Sequence, residues 1–113
     1  MRIKQGESKN YIFYSYPYGS QSPILDTPDD IVFTAETHGT CGKLFTLQKS
    51  LGKGITFDSE TGKYSMKFAP EDTINLPTGK YDFDIKIKRG QSQFFIIKQG
   101  YMVIEQSYTG VIK

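Results

Sequence analysis

His38 and Cys41 are the one histidine and the one cysteine in the chain, spaced H-x-x-C. A structural zinc site takes about four soft ligands, so this pair cannot complete one. As base and nucleophile the two would need hydrogen-bond contact and an orienting third group, on a loop that Gly39 and Gly42 loosen rather than brace. A loop carrying a lone thiol is the expected reading. Carboxylates come in pairs at Asp29 with Asp30, Glu71 with Asp72, and Asp82 with Asp84. Such pairs can carry acid and base roles or hold calcium. Here the first sits in a turn, the second suits the start of a helical turn, and the third alternates outward beside Lys86 and Lys88, where cross-strand charge pairing is expected. Gly52-Lys53-Gly54 lacks the strand-loop-helix setting of a phosphate loop. We therefore expect no catalytic residue, no metal and no cofactor.

Lys80, Lys86, Lys88 and Arg89 interleave with Tyr81 and Phe83, a mixture that could serve a nucleic-acid groove of OB-fold type. A period of two sends the rings to one face and the lysines to the other, so no nucleic-acid surface is expected. The charge balance agrees, with 14 Lys and Arg against 12 Asp and Glu. No apolar run approaches the roughly 20 residues of a membrane span, and the opening residues lack a signal peptide's apolar region. A soluble protein with no membrane partner is expected.

The 113 residues fit a single domain, 1–113. Eight Tyr, eight Phe and no Trp suit a pleated sheet. The clearest strand is 81–88, where Tyr81, Phe83, Ile85 and Ile87 alternate with Asp82, Asp84, Lys86 and Lys88, one face buried and the other wetted. Before it, Pro70 can open a helical turn whose positive end Glu71 and Asp72 favour, and Leu76 is placed to plug the bottom of the fold. A short edge strand is expected within 1–5 and a second strand over 10–18. There Tyr11, Phe13 and Ser15 oppose Ile12, Tyr14 and Tyr16, and alternation does not choose the inner face.

Residues 19–30 read as a loop with two prolines, whose Ile24 and Leu25 tuck against the fold. Strands follow at 31–37 and 43–50, with Phe45, Leu47 and Lys49 as the inner set of the latter. A hairpin turns at Asp58 to Gly62 between Ile55, Phe57 and Tyr64, Met66, Phe68. The last strand is expected over 93–106, with a bulge at Gly100. Its consecutive apolar residues Phe94 to Ile97 either lie covered on both faces or expose a patch.

Leu76, Gly79, Tyr81 and Phe83 stand as L-x-x-G-x-Y-x-F, which resembles the corner before strand F in immunoglobulin-like sandwiches. There a tyrosine hydroxyl bonds back to the backbone upstream, and Tyr81 is expected to reach the stretch from Asp72 to Asn75. The segment order as a whole resembles a family of small immunoglobulin-like domains of tailed phages and prophages, similar to the N-terminal domain of the phage baseplate upper protein. The likeness rests on Ile3 to Glu7, Ile31 to Glu36, Ile55 to Tyr64, the corner from Pro70 to Ile85, and Gly100 to Val103. Phe83 stands where an antibody-type domain has its second cysteine, which removes the disulfide-linked cell-surface reading.

The resemblance implies an all-β, immunoglobulin-like antiparallel sandwich. It implies a non-enzymatic virion component of tail or baseplate type, made in the bacterial cytoplasm and docking onto other phage structural subunits or copies of itself. The aromatic stretches make Tyr11, Tyr14, Tyr16, Phe94 and Phe95 the expected interaction surface. The alternative is a carbohydrate- or surface-binding sandwich module, with exposed tyrosines stacking on sugar rings.

Overall fold

In the computed structural model, which describes residues 1–16, 19, 21–38, 42, 44–88, 90 and 95–106, the chain is nearly all β. Its strands are β1 (Arg2–Lys4), β2 (Lys9–Tyr14), β3 (Asp30–His38), β4 (Leu44–Leu51), β5 (Gly54–Asp58), β6 (Lys63–Phe68), β7 (Gly79–Lys88) and β8 (Phe95–Glu105). A single helical turn, α1 (Pro70–Thr73), stands between β6 and β7. The strands are hydrogen-bonded in the order β1-β8-β7-β3-β4-β5-β6-β2. This sheet curls over on itself: Phe33 of β3 and Phe68 of β6, with β4 and β5 between them in that order, meet edge to face at 5.8 Å between ring centres. The result is a nearly closed sandwich.

β7 is the strand around which the rest pairs, and its alternation holds. Tyr81, Phe83, Ile85 and Ile87 are buried, while Asp82, Asp84, Lys86 and Lys88 are not. Every strand contributes to one core, which gathers Ile3, Phe13, Ile31, Phe33, Leu47, Ile55, Tyr64, Met66, Phe83, Met102 and Ile104 among others. On β2 the inner row is Phe13 and Ser15, and on β4 it is Leu47 with Phe45 and Lys49 partly covered. The expected hairpin forms between Phe57 and Tyr64, with Gly62 at φ 76° and its N–H donating to the Asp58 carbonyl at 2.8 Å.

Four expectations are corrected. The sheet is not wholly antiparallel: β1 runs parallel to β8, and β4 meets β5 in a short parallel register at Ser50 with Gly54 and Leu51 with Ile55. That second junction is a tight corner, in which Lys53 N–H donates to the Ser50 carbonyl at 2.8 Å and carries the chain from one layer to the other. The irregularity in β8 is not at Gly100, which pairs regularly with Phe83; the register shifts opposite Ile85 and Lys86, leaving Ile97 as the extra residue. Gly100 instead faces the Phe83 ring, where a Cβ would stand 3.5 Å away, in ordinary contact. Asp82 and Asp84 do not face lysines across the sheet, because the register sets Asp82 between Glu36 and Tyr101 and Asp84 between Thr34 and Gln99.

The fourth correction concerns the corner itself. Tyr81 hydroxyl donates to the carbonyl of Pro77 at 2.7 Å, downstream of the expected stretch. The helical turn already uses nearby carbonyls, with Pro70 accepting from Ile74 N–H and Thr73 accepting from Leu76 N–H. Leu76 is half-buried against the core, and Gly79 at φ 134° starts β7. Pro70 does open α1, and Asp72 Oδ2 accepts from the Ala69 N–H at 2.7 Å and from Lys49 Nζ at 2.6 Å. Ala69 has no side-chain acceptor to answer with, so only the returning half of a capping box is made. The fully buried Thr73 accepts from Gly6 N–H at 2.9 Å, which ties the turn after β1 to the base of the fold.

Candidate functional site

Several of the residues first considered for chemistry are occupied structurally or lie outside the described residues. Cys41 and Arg89 are outside them, and His38 is exposed at the end of β3. Asp29 accepts from Gly90 N–H at 2.6 Å and Asp30 from Ile31 N–H at 2.8 Å, so both act as turn ligands for backbone. Among the described residues no group of three His, Cys, Asp or Glu could hold a metal ion. Tyr81 and Phe83 are core residues, so neither ring is presented to a base. Among the described residues no helix is long and apolar enough to cross a membrane.

A different place stands out: the seam where the start of β8 approaches the end of β2. Strand geometry puts alternate side chains on opposite faces, and with Phe13 and Ser15 turned inward, Tyr14 and Tyr16 point out. They are 40% and 50% exposed, with ring centres 6.2 Å apart and planes tilted by 42°. On β8 the extra residue at Ile97 breaks the parity, so that Ile96 pairs with outward-facing Lys86 while Lys98 pairs with the buried Ile85. The bulge thereby turns Ile96 to the outside, 54% exposed, and leaves Ile97 packed against the core. Tyr14, Ser15, Tyr16, Ile96 and Ile97 line one hollow of about 390 Å³.

The two stretches expected to form an interaction surface are thus brought to one place, though not with all their members. Tyr14 and Tyr16 line the hollow. Tyr11 is turned the other way, half-buried beside Phe13 at 6.0 Å between ring centres, and its hydroxyl accepts from Lys98 Nζ at 2.6 Å. Phe94 lies outside the described residues, and of Phe95 only the backbone, opposite Ile87, is within them. Ile96, not singled out for the surface, is an exposed apolar residue of that strand. The signal for it was the run of four consecutive apolar residues, which no single period can bury on one side.

Farther along, the outer face of β7 is charged, and β8 lays Tyr101 beside it. Tyr101 is exposed there and Lys80 Nζ sits 3.6 Å from its ring centre, an arrangement that favours the cation over the ring face. A larger hollow of about 580 Å³ opens near the start of β2, lined by Lys9, Asn10, Lys49, Lys67 and Phe68 among others. Lys49 is engaged with Asp72 in that wall. The chain matches no protein-family model and no curated protein.

Proposed function

We propose that this chain is a non-enzymatic structural domain of a tailed-phage or prophage virion, of tail or baseplate type, made in the bacterial cytoplasm and docking onto other subunits at the β2–β8 seam. The observation that carries the docking reading is the convergence of Tyr14, Tyr16 and Ile96, all well exposed, on one hollow. Tyrosines with a polar tip and an apolar body are favoured anchors at protein interfaces. The immunoglobulin-like reading is supported by the strand order, in which β4-β3-β7-β8-β1 and β5-β6-β2 correspond to the two layers of a variable-type sandwich. It is supported too by the tyrosine bond at the corner before β7. The virion role itself rests on the sequence resemblance.

The experiment begins with the neighbouring genes, which on this reading encode tail or baseplate proteins. Their products, purified singly, are tested for binding to the full chain and to Tyr16→Ser and Ile96→Ser variants. We expect one of them to bind, and each variant to weaken it about tenfold or more, the loss of a central interface side chain. Binding unaffected by both variants would move the docking site elsewhere. The tilted pair of exposed tyrosines also favours a second reading, stacking on a sugar ring. Saturable binding of an oligosaccharide, abolished by Tyr14→Ser and Tyr16→Ser together, with no binding to a neighbouring gene's product, would replace the first reading with this one.

A further inference from the structure

Two long stretches of strand edge stay open among the described residues, and they are unlike. β1 covers β8 only from Val103 to Glu105, with Met1 reaching Val103 N–H and the Tyr101 carbonyl. The edge from Ile96 to Gly100 therefore has no strand beside it, and β2, at the end of the hydrogen-bonded order, has none on the side away from β6. Unpaired edges invite other strands, and proteins block this with inward-pointing charges and with bulges. The β8 edge has both. Ile97 is the extra residue, and Lys98, in register with buried Ile85, sends its ammonium across the seam to Tyr11.

β2 has no bulge, and its one charge on the inner row, Lys9, stands at its first position. From Asn10 to Tyr14 it holds no charge and no proline, and its register with β6 is unbroken from Lys9 with Phe68 to Tyr14 with Lys63. Its outer row includes Ile12 and Tyr14, each 40% exposed. Residues directly opposite one another in an antiparallel pair share a face, so two copies of β2 can join only in registers that match outer row to outer row. The register centred on Ile12 matches the uncharged residues to one another. Ile12 meets Ile12, Asn10 meets Tyr14, and on the inner side Tyr11 meets Phe13. Moving the centre to Tyr11 would set Lys9 against Phe13.

We propose that β2 is an association edge whose occupant is β2 of a second copy of this chain, paired antiparallel about a two-fold axis at Ile12. Such a contact is self-complementary and closed. It extends the layer β5-β6-β2 of one copy into β2-β6-β5 of the other. The inference does not depend on the virion reading, since it uses only the edge and its side chains.

The test is sedimentation of the full chain from micromolar to millimolar concentration. A concentration-dependent dimer is expected. Ile12→Lys and Ile12→Glu each place a charge on the axis opposite its own copy, and each is expected to weaken the dimer by about tenfold or more, because like charges juxtaposed in an interface are strongly unfavourable. An equal mixture of the two variants restores it. Thermal melts of both variants, whose substituted side chain is already partly in solvent, establish that the fold is kept. A wild-type chain that stays monomeric throughout overturns the proposal. So does a dimer that survives both variants, or a mixture that fails to recover. Loss of the dimer on Ile96→Ser but not on Ile12→Lys would overturn it too, by placing the contact in the hollow.

Discussion

The Tyr81 hydroxyl lies 2.7 Å from the carbonyl oxygen of Pro77, tying the first turn of the core strand to the segment that leads into it. Tyr81 is fully buried, so the phenol must find its partner inside the protein, and the carbonyl four residues upstream is that partner. Replacing Tyr81 by Phe keeps the ring and removes the donor, leaving the Pro77 carbonyl short of a bond. The expected cost is about 1–2 kcal/mol. Urea denaturation of the two proteins, compared at equal slope, measures it, and an unchanged midpoint would mean that the bond contributes nothing.

The same burial pushes the Tyr81 phenol above its ordinary value near 10, because the charged phenolate would lose its water. The unfolded chain therefore loses this proton at lower pH than the folded one. Stability from this source is fully present below about pH 10 and is lost as pH rises from there through the higher folded value. The expected result is a melting temperature that falls on the alkaline side of 10, with a smaller fall in Tyr81→Phe. Equal alkaline slopes in the two proteins would assign the fall to other groups.

Along β7 the two faces should respond to truncation very differently. Phe83 is 7% exposed and meets the Phe33 ring at 5.6 Å between centres, whereas Lys86 stands on the outer face opposite Ile96. Phe83→Ala is expected to cost roughly 3–5 kcal/mol and Lys86→Ala to stay within about 0.5 kcal/mol. Denaturation midpoints of the two variants make the comparison directly. Similar losses for both would contradict the register.

What could be read in advance follows from where periodicity is unambiguous. From Tyr81 to Lys88 in β7 every odd residue is apolar and every even one charged, so one inner face was legible; in β3, Val32 and Thr34 on the face opposite Ile31, Phe33 and Ala35 blur that choice. In β2 tyrosine and phenylalanine occupy both parities, and only the tertiary partner of Phe13, the stacked Tyr64 ring 5.0 Å away, decides the inner row. Phe94 to Ile97 has no parity at all, so the bulge could not be placed within it. Gly100 drew the bulge by its lack of a side chain, yet it pairs regularly with Phe83 and has room for a Cβ. Convergence of Tyr16 and Ile96 on one hollow depends on the curl of the whole sheet, and no local pattern encodes it. The outward carboxylates of β7 were legible as a face, but their partners across the sheet were not, because register depends on turns at both ends of each strand.

The position of Gly62 leads to the last prediction. It ends the turn between β5 and β6 at φ 76°, in the left-handed region where a Cβ is disfavoured. It is also where the loop after β2 comes to rest: a Cβ at residue 62 would stand 2.9 Å from the Ile24 carbonyl oxygen and 3.0 Å from Pro23 Cβ. The first of these is backbone, held by the bond from Ile24 N–H to the Ser15 carbonyl at 2.8 Å, so it cannot swing aside as a side chain would. Gly62→Ala should therefore combine a backbone cost with displacement of the 21–26 segment, and about 1–3 kcal/mol is expected. Gly52 is the comparison, since it has a similar φ of 81° and open space where its Cβ would go. Gly52→Ala should pay the backbone cost alone, so the difference between the two melting shifts isolates the contact with the loop. Equal shifts would show that the loop yields freely, and that it does not brace the end of β2 on which Tyr14 and Tyr16 are carried.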